Sequence, residues 1–263
     1  MPDPERLVLD IGEGQQGRAI TVLSRAGEGA PVVWLGGFKS DMASTKAGYL
    51  DAWAARSERA FLRFDYSGHG ESSGRFEDGT IGRWLEESLG VIGRCVARRP
   101  ILVGSSMGGW IALLASLRLA SENPSLRPAG LVLIAPAVDF TEALVWAKAP
   151  DEARRAIMEE GVWRRPSAYS SEPDCLTRDL IEDGRKHLLL GGMIRTRAPT
   201  MVLQGMRDED VPFSHALALM QRLGDPATLT LVKDGDHRLS RPQDLQLLFD
   251  ALGRMANPAP AAA

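Results

Sequence analysis

The feature that most constrains this fold is the alternation of short apolar, β-branched runs with longer amphipathic segments. Residues 31–35, 100–104 and 129–135 have the length and composition of buried strands. Between 80 and 98, apolar residues recur at helical spacing and share one face. This alternation is typical of βα units and predicts an α/β fold with a mainly parallel sheet, flanked by helices on its faces.

Eight strands and five helices are predicted for the main body. The first two strands are separated by a glycine-rich turn and are expected to be antiparallel. The predicted strands are 6–10, 19–24, 31–35, 60–65, 100–104, 129–135, 199–204 and 227–232. The predicted helices lie near 44–57, 80–98, 107–121, 212–223 and 241–254.

One interval, from Pro136 to Ala198, is far longer than the roughly dozen residues that a crossover between parallel strands needs. It contains several apolar stretches of helical character, so we predict an inserted helical cap at 137–196. The remainder, 1–136 and 197–256, is the predicted core, and 257–263 is predicted to be a disordered tail. A second small domain unrelated to any site is the alternative for the insertion.

Charge and composition exclude several function classes. The chain has 31 basic and 34 acidic residues, a net charge of −3, so a nucleic-acid partner is not expected. No apolar run is long enough for membrane insertion, and the N-terminus lacks the pattern of a secretory or transit peptide. Cys95 and Cys175 are expected to be reduced thiols, and a cytoplasmic location is predicted.

The pattern G-x-S-x-G occurs twice, and only the surrounding sequence separates the two matches. The match centred on Ser106 follows an apolar strand and runs directly into a helix. A strand, a sharp turn and a helix are what a nucleophile elbow requires. The match centred on Ser72 continues into a loop, so Ser106 is the predicted nucleophile and Ser72 a loop serine.

A serine nucleophile needs a base, and the base needs an orienting acid. His237 follows the strand 227–232, and Asp208 lies just beyond the strand 199–204. Both are therefore expected at the carboxyl edge of the sheet, where ligands of open α/β sheets bind. Asp210 and Glu209 are the neighbouring acids that could instead cap the next helix. The order of serine, aspartate and histidine along the chain is that of α/β-hydrolases.

Two backbone N–H groups are needed to stabilise the oxyanion of a tetrahedral intermediate. Met107, directly after the proposed nucleophile, is expected to supply one. Phe38 is expected to supply the other, because Gly36 and Gly37 before it allow a tight turn after the third strand.

With these motifs placed, the chain resembles the α/β-hydrolase superfamily over nearly its whole length. Residues 37–47, 64–68 and 104–110 are similar to mitochondrial palmitoyl-protein thioesterases that also hydrolyse acyl-glucuronides, and to their bacterial relatives. The loop 65–72 resembles a structural loop of the superfamily, and 205–212 resembles its acid-bearing loop, which favours Asp208 over Asp210. The resemblance implies a serine hydrolase without metal or organic cofactor.

The sequence therefore predicts an enzyme that hydrolyses a carboxylic ester or acyl-thioester through an acyl-Ser106 intermediate. A C–C bond hydrolase or a cofactor-free haloperoxidase would keep the same residues and stays open. A non-catalytic protein of this fold that binds a small ligand is the alternative from another class. No metal-site spacing occurs around the cysteines. The acyl pocket is expected to be roofed by apolar cap residues, among them Trp146, Trp163 and 188–190.

Overall fold

The computed structural model describes residues 3–14, 17–167 and 173–256. Within these ranges the chain forms ten strands and seven α-helices. The strands are β1 (Glu5–Ile11), β2 (Arg18–Arg25), β3 (Glu28–Leu35), β4 (Arg59–Phe64), β5 (Ile101–Ser105), β6 (Gly130–Ile134), β7 (Val162–Arg165), β8 (Asp174–Thr177), β9 (Thr200–Gly205) and β10 (Ala227–Val232). The helices are α1 (Thr45–Arg56), α2 (Ile81–Cys95), α3 (Met107–Glu122), α4 (Asp151–Arg155), α5 (Arg178–Gly184), α6 (Phe213–Arg222) and α7 (Pro242–Ala256).

Eight of the strands form one sheet in the order β1-β2-β4-β3-β5-β6-β9-β10. The pairs β1–β2 and β2–β4 are antiparallel, and every other neighbouring pair is parallel. The predicted strands and the antiparallel start are thus confirmed. β5 and β6 lie in the middle of the sheet with every residue buried, which explains why they are apolar throughout rather than alternating.

Helices cover both faces of the sheet. On one face, α1 and α7 pack against Val32, Ile101 and Val132 of the central strands. On the other, α2, α3 and α6 pack against Leu102 and Leu133. The side-chain alternation of the strands sends neighbouring residues into these two separate cores. Helix α3 is buried along most of its length because it packs against both β5 and β6 of the sheet and the neighbouring helix α2.

The segment between β6 and β9 is not wholly helical. Beside α4, α5 and two short π-helical turns it contains β7 and β8, which pair as an antiparallel hairpin outside the main sheet. Its partly apolar, partly charged strands did not stand out as strands in the sequence. The division into a core and a cap at 137–196 stays a prediction, and the predicted tail 257–263 lies outside the described residues.

None of the described helices combines the length and the apolar character that crossing a bilayer requires.

Candidate active site

Ser106 lies in the turn between β5 and α3, in a backbone conformation that non-glycine residues rarely adopt. Its φ is 54° and its ψ is −120°, and it serves as the N-cap of α3. The turn is held in place because the Ser106 N–H donates to the carbonyl of Ile134 at 2.9 Å. The strained position projects the side chain away from the strand and toward the carboxyl edge of the sheet, as a nucleophile elbow does.

Glycines on either side of Ser106 make this turn possible. A Cβ on Gly104 would lie 2.3 Å from the carbonyl oxygen of Gly108, and a Cβ on Gly108 would lie 2.1 Å from that of Leu35. No side chain fits at these distances, so strand and helix could not approach so closely with any other residue. The glycines of the sequence motif are therefore steric requirements of the turn.

Ser106, His237 and Asp208 are joined by consecutive hydrogen bonds. His237 Nε2 lies 3.1 Å from Ser106 Oγ, and His237 Nδ1 lies 2.8 Å from Asp208 Oδ2. A carboxylate can only accept, so Nδ1 carries the proton and Nε2 is left to accept from the serine hydroxyl. The three side chains come from loops after β5, β10 and β9, which meet because parallel strands end at the same edge of the sheet.

Asp208 is buried and its carboxylate is fully engaged. Its Oδ1 accepts the backbone N–H groups of Asp210 and Val211 at 3.0 and 2.8 Å. Its Oδ2 accepts the side-chain amide of Gln204 at 3.0 Å in addition to His237. The alternative acid, Asp210, thus contributes its backbone to holding Asp208, and its own side chain is exposed.

Gln204 was missed in the sequence because a single amide in an apolar strand carries no motif. It is completely buried at the end of β9, and its two N–H groups are shared among Asp208 and the carbonyls of Gly205 and Val211, which lie 3.1 and 2.9 Å from the amide nitrogen. The side chain therefore ties the acid-bearing loop to the strand before it.

The second serine motif occupies a different place. Ser72 Oγ donates to the Asp65 carbonyl at 2.6 Å and accepts the N–H of Thr21 at 2.9 Å. The first bond closes the loop after β4 on itself, and the second joins that loop to the neighbouring strand β2. Ser72 is a structural loop serine, as the sequence context indicates.

The loop after β3 runs directly beside Ser106. A Cβ on Gly37 would lie 3.3 Å from Ser106 Cβ, a contact that a larger residue could make only if the serine or the loop shifted by a few tenths of an ångström. Phe38 and Met107 both line the cavity in front of Ser106. Among the described residues, the Phe38 N–H donates to no hydrogen-bond acceptor.

The cavity has a volume of about 750 Å³ and lies between the sheet edge and the segment that follows β6. Ser106 and His237 form part of its floor. Of the residues expected to roof it, Trp163 does so, whereas Trp146 and residues 188–190 do not line it. Trp146 instead packs against the guanidinium groups of Arg154 and Arg185. The large apolar residues that the segment between β6 and β9 contributes to the lining include Phe140, Leu144, Val145, Trp163 and Leu176.

Three potential metal-ligating groups also meet here. Ligand atoms of Asp208, Asp210 and His237 lie within 4.8 Å of one another. Asp208 already accepts four hydrogen bonds, one of them from His237, and His237 Nε2 faces Ser106 Oγ. The donor set fits a hydrogen-bonded relay better than a cation site.

Comparison with known proteins identifies the family. The profile of the alpha/beta hydrolase family matches residues 31–246, which include the sheet from β3 onward, the elbow and the loops of Asp208 and His237. The chain belongs to the alpha/beta hydrolase family. Its eight-stranded, mostly parallel sheet with flanking helices matches solved structures of this family.

The chain is similar to one curated thioesterase and to two solved structures in particular. The mitochondrial palmitoyl-protein thioesterase ABHD10 of Homo sapiens is 32% identical over 226 residues, which are 84% of this alpha/beta hydrolase and 71% of the human protein. The crystal structure of a candidate hydrolase from Agrobacterium vitis S4 superposes with a TM-score of 0.94 at 46% identity, covering 97% of this chain and all of that one. Mouse alpha/beta hydrolase domain-containing protein 10 has a TM-score of 0.84 at 27% identity, covering 95% of this chain and 98% of that one.

Proposed function

We propose that this alpha/beta hydrolase is a serine hydrolase that cleaves a carboxylic ester or an acyl-thioester. The observation that carries the proposal is the hydrogen-bonded series Ser106–His237–Asp208, placed on the floor of a cavity of about 750 Å³. Similarity to a palmitoyl-protein thioesterase supports an acyl substrate.

In the proposed mechanism, His237 Nε2 takes the proton of Ser106 Oγ as that oxygen attacks the acyl carbon. Asp208 holds the histidine tautomer and stabilises the imidazolium that forms. The N–H groups of Phe38 and Met107 are the proposed donors to the oxyanion. His237 then protonates the leaving alcohol or thiol, and the acyl group stays on Ser106. A water molecule, deprotonated by His237, releases the acid and restores the serine, so no cofactor takes part.

We also propose that residues 137–196 act as a cap that shapes the acyl site, on a core of 1–136 and 197–256. The insertion supplies apolar walls, and the sheet edge supplies the reacting groups. A small-molecule acyl compound is the proposed partner.

The proposal is tested by labelling and turnover with matched serine variants. We expect a fluorophosphonate probe to label the wild-type protein, and p-nitrophenyl esters or acyl-thioesters to be hydrolysed. Ser106→Ala should abolish both, because it removes the nucleophile. Ser72→Ala, in the second copy of the motif, should leave both within a few-fold of wild type.

Two outcomes would contradict the proposal. Labelling that survives Ser106→Ala and disappears with Ser72→Ala would move the nucleophile to the other loop. A wild-type protein that binds acyl compounds reversibly, without labelling and without turnover of any ester or thioester, would instead support a ligand-binding protein of this fold.

A further inference from the structure

We infer that His69 is a positioning residue for the oxyanion hole, holding the loop after β3 by accepting the backbone N–H of Lys39. The inference rests on the proposed function, in which the preceding residue, Phe38, donates to the oxyanion. His69 Nε2 lies 3.2 Å from the Lys39 nitrogen. His69 belongs to the loop after β4, and neither serine motif nor the proposed mechanism assigns a role to its side chain.

The two hydrogen bonds of the His69 ring specify a single neutral tautomer. Because the Lys39 N–H can only donate, Nε2 must be unprotonated. Nδ1 lies 3.2 Å from the carbonyl of Ser67, which can only accept, so Nδ1 carries the proton. Burial lowers the pKa of His69 to about 4. The ring is therefore neutral at ordinary pH, as accepting the Lys39 N–H requires.

Lys39 is held in a conformation that needs external support. Its φ is +57°, in the left-handed region that residues with a Cβ seldom adopt. It is the third residue of a turn closed by a hydrogen bond from the Ser40 N–H to the Gly37 carbonyl at 3.1 Å. A positive φ at this position is typical of a type II turn, where glycine or asparagine is usual. The bond to His69 fixes the peptide plane that would otherwise flip.

The same turn sets the direction of the proposed oxyanion donor. Phe38 N–H and the Gly37 carbonyl share one planar trans peptide and point in opposite directions. Because that carbonyl is bound to Ser40, the Phe38 N–H points away from the interior of the turn. Fixing Lys39 therefore fixes Phe38, its neighbour inside the turn.

The His69 ring is itself firmly placed. It is 5% exposed, and its centroid lies 5.1 Å from that of Phe76 and 5.3 Å from that of Trp84, edge to face in both cases. The ring of Phe38 packs on the same Phe76 at 4.8 Å. His69 and the loop after β3 thus pack against the same aromatic ring.

The hydrogen-bond partner of His69 is anchored in the core. Ser67 donates through its N–H and its hydroxyl to Glu87 at 2.9 and 2.7 Å. Glu87 is completely buried and pairs with Arg18 at 2.8 Å. The loop after β4 also holds the loop after β3 at a second point, where Asp65 Oδ1 accepts the Met42 N–H at 2.6 Å. A rigid support behind a catalytic loop is what precise placement requires.

Two variants separate the hydrogen bond from the ring packing. His69→Phe keeps an aromatic ring and removes the acceptor, whereas His69→Gln removes the ring and keeps a side-chain oxygen as acceptor. We would measure kcat and KM with a p-nitrophenyl ester, the inhibition constant of a trifluoromethyl ketone that forms an oxyanion on Ser106, and the melting temperature.

For His69→Phe we expect kcat to fall roughly 10- to 100-fold with KM little changed, since a displaced oxyanion donor weakens only the transition state. Affinity for the trifluoromethyl ketone should fall by a similar factor. His69→Gln should stay within about threefold of wild type if the acceptor is what matters. Full activity of His69→Phe, or equal losses in both variants that follow their melting temperatures, would overturn the inference.

Failure of the proposed function has a different signature, because the wild-type protein itself would then lack ester and thioester turnover. The tautomer of His69 can be measured even if the protein has no esterase or thioesterase activity. The ¹⁵N spectrum of histidine-labelled protein should show His69 protonated at Nδ1 and bare at Nε2. The opposite tautomer, or a charged ring near neutral pH, would overturn the inference whatever the enzyme does.

Discussion

Strained backbone occurs beside the reacting groups. Seven non-glycine residues in the described part of the chain have positive φ, and they include Lys39, Ser106, Ala135 and Leu239, in the segments that follow β3, β5, β6 and β10 at the carboxyl edge of the sheet. Such residues persist only when their surroundings hold them in place. At Ser106 and Lys39 the support is visible as hydrogen bonds from or to distant segments.

At the same scale, the choice between two neighbouring acids can be tested directly. Asp208→Asn should lower kcat by several orders of magnitude, because the amide no longer fixes the tautomer of His237; roughly 10⁴-fold is the loss for the equivalent change in a serine protease. Steady-state kinetics with a p-nitrophenyl ester would measure it.

Asp210→Asn is the matched control for that experiment. It should lower kcat far less, because Asp210 contributes its backbone N–H to Asp208 and the substitution leaves the backbone intact. If Asp210→Asn instead caused the large loss of kcat and Asp208→Asn the small one, Asp210 would be the acid that orients His237.

At the scale of elements, the segment between β6 and β9 is attached to the N-terminal end of α2. Asp183, on α5, accepts the Gly82 N–H at the start of α2 at 2.7 Å and lies 3.5 Å from His187. Trp110 of α3 adds a second link by donating to the His187 carbonyl at 3.1 Å. A carboxylate at a helix N-terminus is favoured by the unpaired N–H groups there.

This attachment predicts a pH-dependent contribution to stability. Burial alone raises the pKa of Asp183, but its hydrogen bonds with His187 and Gly82 outweigh burial and hold that pKa well below its usual value. Because the pKa is lower in the folded state, the stabilisation is fully present above the unfolded value of about 3.9 and is lost as pH falls through the folded value. We expect Asp183→Asn to lower the free energy of unfolding by about 1–2 kcal/mol near pH 6.

Chemical denaturation at several pH values measures the effect. The gap between wild type and Asp183→Asn should narrow as pH falls below about 4. Glu182→Gln, at an exposed neighbouring position on α5, should show little change at any pH. A gap that stayed constant down to pH 2 would argue against an ionised Asp183 as the stabilising group.

At the scale of the whole molecule, the reacting groups and the cavity walls come from different parts of the chain. The sheet edge supplies Ser106, Asp208 and His237, whereas Leu144, Trp163 and other apolar residues of the insertion form walls of the same cavity. The sheet edge alone lacks these apolar walls, and the segment between β6 and β9 alone lacks the reacting groups. Changes in the insertion are therefore expected to alter acyl-chain preference more than the chemistry.

Charged side chains such as Lys46 and Arg165 also line the cavity, but its apolar wall should reward longer acyl chains. Each methylene buried contributes about 0.8 kcal/mol, close to fourfold in kcat/KM, so this constant should climb over several carbons before reaching a plateau. Leu144→Trp, which fills part of the cavity, should move the plateau to shorter chains. A series of p-nitrophenyl esters from acetyl upward would measure the profile.

Trp146→Ala provides the control, since Trp146 belongs to the same insertion and does not line the cavity. Its profile should keep the wild-type plateau. Equal kcat/KM for acetyl and octanoyl esters in the active wild-type enzyme would contradict the apolar-pocket prediction and favour a small or polar acyl group.

Local patterns determined much of this protein. The eight strands of the sheet, the helices that flank it and the elbow around Ser106 were all predictable, because strand and helix periodicity and the steric need for Gly104 and Gly108 act over a few residues. The positions of Asp208 and His237 followed from strand ends, since parallel strands bring their carboxyl ends to one edge.

Only the tertiary structure decided the contacts between distant segments. The hairpin β7–β8, the burial of Gln204 behind Asp208 and the bond from Lys39 to His69 join residues without a shared local pattern. The same is true of the cavity wall, where Trp163 takes part and Trp146 does not. Apolar character in a sequence shows that a side chain will be buried. Which neighbour buries it depends on how all the elements pack together.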